Sequence, residues 1–215
     1  MLKRSIAFIA ILLSSFIMLT ACLKNIRKPG VIPSFEGFSS QEIAQLAQYG
    51  NISILKETNF DTIDTTKYKI IYIEVSQNDK SKIISSILKY FNKADYQVFY
   101  TSLSIDNSLE KVCLLKSKDK YDVLRAFKTN GTNYDIDTDT LIEKLKVWDG
   151  KYSITINGVD GDWIDISFEN LPDNIDEFAN EIYNFCPDSV DQGIGDINEL
   201  VNVIRNDKEI VLWWD

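Results

Sequence analysis

The sequence predicts an α+β fold, in which helices pack on a mixed β-sheet. Residues 69–75 (KIIYIEV) are β-branched and aromatic, which is typical of a strand, and apolar residues at helical spacing follow at 83–91. The dipeptide Asp160-Gly161 separates two segments of alternating polarity, which indicates a β-hairpin. Pairs of helical patterns flank that hairpin. Hairpins mixed with helix pairs are typical of the α+β class.

The predicted elements form a β-α-β-β unit followed by α-α-β-β-α-α-β. Asn78 or Asp79 is expected to cap the helix of the first unit. Thr140 with Glu143 predicts a capping box in the second series, and Asp196 is expected to cap the last helix. The predicted strands are 51–55, 69–75, 96–105, 111–116, 152–157, 163–168 and 209–214, and the predicted helices are 39–50, 79–91, 121–128, 137–148, 173–186 and 196–205.

The terminal strand, residues 209–214 (EIVLWW), is apolar at nearly every position. A strand that is apolar on both faces is typical of one that is covered on both sides. We therefore expect this strand to lie inside the sheet and not at its edge.

The first residues resemble a bacterial lipoprotein signal peptide. Lys3 and Arg4 precede an apolar run at 6–19, and the small residues of Leu-Thr-Ala lead directly to Cys22. The run is too short and wrongly flanked for a stable membrane-spanning helix. A plain signal peptide with a chance cysteine is the alternative. We expect cleavage before Cys22, lipidation of Cys22, and anchoring of the mature protein at the extracytoplasmic face of the cell membrane.

The chain divides into four segments by composition. Residues 1–21 are the expected signal peptide, and residues 22–38, which contain Pro29, Gly30, Pro33 and Gly37, are the expected tether. An N-terminal α/β lobe at 39–118 and a C-terminal domain at 119–215 follow. Together the last two can bury a sizeable core, either as one domain or as two lobes that meet near residue 118.

The net charge of −9 is unevenly distributed. Residues 22–132 carry 16 basic and 12 acidic side chains, whereas residues 133–215 carry 5 basic and 20 acidic ones. No basic stripe is present, which excludes nucleic acid as a partner. The acidic half is either a solvated surface that keeps the protein soluble or a surface for a cation or a basic partner.

The sequence contains no histidine. This excludes the Ser-His-Asp and Cys-His nucleophile arrangements and the usual zinc sites. An enzyme built from this chain would rely on carboxylates, lysine, tyrosine or a hard metal ion. We expect no cofactor.

Two cysteines remain after lipidation, Cys113 and Cys186. An exported protein can form a disulfide between them if their Cα atoms lie close enough. Both stand among apolar residues, so two buried thiols are the other possibility.

Two polar loops form the candidate binding site. We expect them to lie side by side at one end of the sheet and to hold a hard cation or a polar ligand, because each is rich in polar groups and precedes a capped helix. Alternatively both are structural turns, since Asn-Gly is a turn dipeptide and the glycines after Pro187 tolerate positive φ. The candidate residues are Asn130, Asn133, Tyr134 and Asp135 in the loop 129–135, and Asp188, Asp191 and Gln192 in the loop 188–195.

The C-terminal half resembles the domain-of-unknown-function family 4253, from about residue 121 to residue 215. The resemblance is carried by Asn130-Gly131, Asn133-Tyr134-Asp135, Trp148, Asp162, Pro172, Phe185-Cys186-Pro187-Asp188, Val190-Asp191-Gln192-Gly193 and Leu212-Trp213-Trp214-Asp215. Many members carry Cys-Pro near positions 133–136, where this chain has Asn-Tyr-Asp-Ile, which puts any cysteine pairing of the family in doubt here. The resemblance implies no biochemical activity.

We therefore expect a membrane-anchored binding or interaction module for a basic protein or a small polar ligand. The alternatives are a metal-assisted hydrolase that uses Asp135, Asp188 and Asp191, and a protective partner of a basic exported protein.

Overall fold

A computed structural model of the chain describes residues 34–57, 61–91, 95–102 and 109–215. Cys22 and the expected signal peptide lie outside these residues, as does most of the expected tether. The strands are β1 (Ile52–Ile54), β2 (Ile70–Ser76), β3 (Gln97–Ser102), β4 (Leu109–Leu115), β5 (Ile154–Val159), β6 (Trp163–Phe168) and β7 (Glu209–Trp213). The helices are α1 (Ser40–Leu46), α2 (Gln77–Tyr90), α3 (Asp122–Phe127), α4 (Thr138–Tyr152), α5 (Ile175–Phe185) and α6 (Ile197–Asp207), with a 3₁₀ turn at Thr132–Tyr134 and a π-helical turn at Ser189–Ile194.

The seven strands form one mixed sheet in the order β1-β2-β4-β3-β5-β6-β7. Every neighbouring pair is antiparallel except β3 and β5, which pair in parallel at Tyr100 and Gly158. The expected α+β class with a mixed sheet is thus confirmed. The parallel junction joins strands from the two halves of the chain in a single sheet.

Of the three predicted helix caps, one is confirmed and two lie at an earlier residue. The Asp196 carboxylate caps α6 as predicted. In α2 the cap lies earlier than expected, because the Ser76 hydroxyl accepts the N–H of Asp79 at 3.3 Å. In α4 the cap is Asp137 and not Thr140, since Asp137 Oδ1 accepts the N–H of Thr140 at 2.7 Å.

The strand β7 lies at an edge of the sheet, so the prediction of an internal strand was wrong. It pairs only with β6. Ile210 and Leu212 are buried, whereas Val211 is 45 % exposed and Glu209 is exposed. The apolar character of its outer face therefore does not reflect cover on both sides. The free edge is capped at one end, where the N–H of Trp213 donates to Ser189 Oγ at 2.8 Å.

The two faces of the sheet are covered unequally. One face carries the larger apolar core, which takes residues from every strand from β2 to β7 and from α3 to α6. The other face carries a smaller core built from α1, α2 and the strands β2 and β4, and this core contains no buried residue after Leu114. The helix α2 contacts β2, β3 and β4.

On β5, β6 and β7 this second face has no such apolar core among the described residues. We call this part of the sheet the open face. The strand registers place on it Thr155 of β5, Trp163, Asp165 and Ser167 of β6, and Glu209, Val211 and Trp213 of β7. Asn157 of β5 joins them, since its side-chain amide donates to Asp165.

Candidate functional site

The two predicted loops meet around the C-terminus of the chain. The hydroxyl of Tyr134 donates to Asp188 Oδ1 at 2.5 Å, and the N–H of Asp215 donates to Asp188 Oδ2 at 3.0 Å. The side-chain amide of Asn133 donates to the backbone oxygen of Asp215. The structure therefore brings Asn133, Tyr134 and Asp188 together, side by side as expected. We call this set of contacts the C-terminal clasp.

The clasp also includes the two final tryptophans. The ring of Trp214 is buried and lies so close to Gly131 that a Cβ there would stand 2.7 Å from Trp214 Cδ1. Its backbone N–H donates to the Asp162 oxygen at 3.0 Å. The thiol of Cys186 donates to the Trp213 oxygen at 3.0 Å. Residues far apart in sequence are thus fixed by contacts to the last three residues.

The carboxylate of Asp188 is already satisfied by the protein. Asp188 is buried, with only 6 % of its surface exposed. Burial alone would raise the pKa of Asp188, but hydrogen bonds from Tyr134, from the Asp215 N–H and from Gln192 outweigh it, and the pKa is lowered. A carboxylate held by three internal donors has a structural role in the described molecule.

Two of the remaining loop residues, Asn130 and Asp191, also form internal contacts. Asn130 donates to the Lys128 oxygen at 2.8 Å and accepts from the Thr132 N–H at 3.1 Å, as in a turn. Asp191 accepts from the Tyr183 hydroxyl at 3.3 Å. Asp135 adopts a left-handed conformation and lines, with Asn130, a separate cavity of about 510 Å³.

The described residues include no group of three or more acidic or cysteine side chains that could hold a metal ion. Asp135, Asp188 and Asp191 therefore do not form the cluster on which the hydrolase alternative depended. Cys113 and Cys186 are both free and buried, so no disulfide joins them.

A larger cavity lies elsewhere, between α2 and the open face. Its volume is about 840 Å³. Lys80, Ile84 and Leu88 of α2 form one wall, and the polar residues of β5 and β6 form the floor. We call it the groove. The sequence did not predict the groove, because the groove depends on the pairing of β3 with β5 and on the position of α2, which packs on β2, β3 and β4.

A buried carboxylate lies in the floor of the groove. Asp165 is only 2 % exposed, and the hydroxyl of Tyr100 donates to its Oδ2 at 2.6 Å. Asn157 donates to its Oδ1 at 3.4 Å and accepts from Ser167 at 3.4 Å. The side chain of Glu209, at the rim, is hydrogen-bonded to Asp165.

The electrostatics of this pair differ from those of the clasp. Burial raises the pKa of Asp165, and hydrogen bonds from Tyr100 and Asn157 offset this only in part. Burial and the charge of Asp165 raise the pKa of Glu209 as well. Two neighbouring carboxyls whose pKa values are both raised tend to share a proton. Burial also raises the pKa of Tyr100, which therefore remains a hydrogen-bond donor.

One lysine balances part of this negative charge. The ammonium of Lys80 lies 2.8 Å from Glu110 Oε2 and 3.5 Å from the centroid of the Tyr100 ring. It lowers the pKa values of Asp165 and Glu209, without being the largest influence on either.

Glycine at position 158 allows Tyr100 to reach its place. The register of β5 and β6 shifts between Ile156 and Gly158, which is a β-bulge. A Cβ at Gly158 would stand 2.6 Å from the Tyr100 ring and 3.0 Å from Trp163. The alternation Trp163-Ile-Asp165-Ile-Ser167 was the only sequence signal of this floor, and it was compatible with a merely solvated strand face.

Residues 111–215 match the model of the family described as Domain of unknown function (DUF4253). The C-terminal part of the chain is similar to that family. The DUF4253 match begins in β4 and extends to the C-terminus, so it includes Asp165, Glu209 and both tryptophans of the open face, but neither Lys80 nor Tyr100.

Nine of the twenty residues that carry the DUF4253 resemblance belong to the C-terminal clasp, namely Gly131, Asn133, Tyr134, Asp162, Cys186, Asp188, Trp213, Trp214 and Asp215. No curated protein and no solved structure matches the chain. Among the helices of the described residues, none has both the length and the apolar character that are needed to cross a membrane.

The clasp account predicts that Asp188→Asn destabilises the protein at neutral pH by about 1–2 kcal/mol, because an amide presents a donor to the Asp215 N–H. Since the pKa of Asp188 is lowered in the folded state, its contribution is present above pH 4 and is lost as the pH falls through the folded pKa. The difference from wild type should therefore shrink in acid. Urea unfolding at pH 7 and pH 3 measures both effects.

Asp191→Asn is the matched control, because this exposed residue makes one long hydrogen bond and should change stability by less than about 0.5 kcal/mol. An Asp188→Asn protein that is more stable than wild type at pH 7 would instead mean that the carboxylate is reserved for a ligand.

Proposed function

We propose that the protein is a binding module, anchored through a lipid on Cys22 at the extracytoplasmic face of the cell membrane, and that its ligand occupies the groove. The observation that carries the proposal is a large groove whose floor consists of polar side chains fixed on strands. Ligand sites are typically concave, about 300–1,000 Å³ in volume, and contain a few convergent polar groups. The groove, at about 840 Å³, fits that description.

The arrangement of the floor is more typical of a ligand site than of a purely structural core. A buried carboxyl with a raised pKa costs stability, and an apolar residue in its place would cost less. Tyr100, Asn157 and Asp165 are moreover held on three adjacent strands, where a ligand would meet them in one fixed geometry. The clasp lacks this character because Asn133, Tyr134 and Asp188 are hydrogen-bonded to one another or to Asp215.

The sequence of the first residues supports the anchor. The basic residues Lys3 and Arg4, the apolar run at 6–19 and Cys22 have the order of a lipoprotein signal. Two or more acyl chains on one cysteine hold a protein on a membrane stably, whereas a single chain does so only marginally.

Replacing Cys22 tests the anchor. Cys22→Ser should abolish incorporation of labelled fatty acid and should move the protein from the membrane fraction to the soluble extracytoplasmic fraction. Cys113→Ser, which alters a buried thiol, is the control and should remain acylated. Unchanged acylation and membrane retention of Cys22→Ser would contradict the anchor.

Asn157 and Trp163 allow a test of the groove. The side chain of Asn157 lines the groove, and the ring centroid of Trp163 lies 5.7 Å from that of Tyr100, which also lines it, whereas Trp148 and Trp214 are buried in the core. We expect members of a panel of amines, amino acids, sugars and short peptides to shift the side-chain amide signal of Asn157 and the indole N–H signal of Trp163 in NMR spectra of the full-length protein in detergent.

Gly158→Ala should weaken these shifts by displacing Tyr100, whereas Gly150→Ala, where an added Cβ meets nothing within 4 Å, should not. If panel compounds instead shift the side-chain amides of Asn130 and Asn133 and leave the Asn157 amide and the Trp163 indole unmoved, the ligand site is at the loops and the proposal fails.

A further inference from the structure

We infer that the groove binds the guanidinium group of an arginine in an extended basic segment of a partner protein. This inference rests on the proposed function, because it specifies the ligand of the same groove. It depends on the charge of the groove, on the aromatic residues beside it and on a second cavity that adjoins it.

The carboxyl groups of the groove favour a cationic ligand. Two carboxyl groups that line the groove, those of Asp165 and Glu209, have no direct ion pair among the described residues. The three lysines that line the groove, Lys80, Lys118 and Lys120, pair instead with Glu110, Asp95 and Asp149, which do not line it. The ammonium of Lys80 lies 2.8 Å from Glu110 Oε2 and is thereby paired. The pair Asp165 and Glu209 is left with a surplus of negative charge, in a half of the chain with 20 acidic and 5 basic side chains. A bound cation would favour the ionised form of both carboxyls.

The aromatic residues favour guanidinium over a metal ion or an ammonium. Trp163 stands directly opposite Trp213 in the register of β6 and β7, and its ring centroid lies 5.7 Å from that of Tyr100. A planar guanidinium can stack on such rings while its N–H groups bind carboxylate oxygens. An ammonium, that of Lys80, already lies on the Tyr100 ring.

A second cavity indicates a peptide and not a free amino acid. This edge pocket, of about 710 Å³, lies around the free edge of β7 and is lined mainly by apolar residues, including Ile194, Val203 and Val211. Glu209 lines both the groove and the edge pocket. A ligand that fills both the groove and the edge pocket must carry a cationic group beside an apolar one. An extended peptide with arginine next to leucine or valine has this arrangement.

A second copy of this chain fits the surface poorly. The net charge of −9 opposes self-association through an acidic surface. A basic polypeptide has the complementary charge, and charge complementarity raises both the rate and the specificity of association.

A peptide of sequence Leu-Arg-Gly-Leu-Arg-Gly, blocked at both ends, provides the probe. We expect it to bind the full-length protein in detergent and to shift the indole signals of Trp163 and Trp213. The same peptide with citrulline in place of arginine keeps the shape and loses the charge, and it should bind at least ten times more weakly. A lysine version should fall between the two.

Two variants with the same change in net charge separate the groove from general attraction. Glu209→Gln removes the carboxyl at the rim and should weaken binding of the arginine peptide at least tenfold in calorimetry. Glu143→Gln removes an exposed carboxyl on α4, which lines neither cavity, and should change the affinity less than twofold. Equal weakening by both variants would overturn the inference.

The outcomes also distinguish this inference from the proposed function. If the citrulline peptide binds as well as the arginine peptide, or if the arginine peptide leaves the Asn157 amide and the open-face indoles unmoved while another panel compound shifts them, the groove is a site for a different ligand. If neither the arginine peptide nor any panel compound shifts the Asn157 amide or the Trp163 indole, both the inference and the proposed function fail.

Discussion

A β-sheet buries its apolar residues only where another layer covers them, and the described helices of this chain are distributed unequally over the two faces. The helices α3 to α6 pack on one face, whereas α1 and α2 cover the other face only at β2, β3 and β4. The parallel pairing of Tyr100 in β3 with Gly158 in β5 extends the sheet beyond that cover. The open face and the groove beside α2 follow from this geometry.

The two polar centres of the molecule differ in how their charges are satisfied. In the C-terminal clasp the hydrogen bonds to Asp188 lower its pKa, so that ionisation and folding favour one another. In the groove, burial raises the pKa values of Asp165 and Glu209, so that their ionisation opposes folding. Groups that lower the free energy of unfolding and lie together at a concave surface are typical of a functional site, since a bound ligand can stabilise them.

Local signals in the sequence predicted local structure well. The β-α-β-β unit, the hairpin at Asp160-Gly161 and the cap at Asp196 each depend on neighbouring residues, and each was predicted. The edge position of β7 was not, because apolar residues on both sides of a strand do not reveal whether a layer covers them. The groove depends on contacts such as Tyr100 to Asp165, which are 65 residues apart, and a strand with one aspartate among apolar neighbours does not predict them.

The central claim is that Asp165 is held in the open face for a ligand and not for the stability of the fold. The most direct test is the free energy of unfolding of wild type and Asp165→Asn between pH 4 and pH 8, because asparagine keeps an acceptor for Tyr100 and cannot ionise. With a raised folded pKa, wild type loses stability as the pH rises from the unfolded pKa through the folded one. We expect Asp165→Asn to be the more stable protein at pH 7, with a difference that disappears towards pH 4. A variant that is less stable than wild type at pH 7 would show that the carboxylate supports the fold, and would contradict the account.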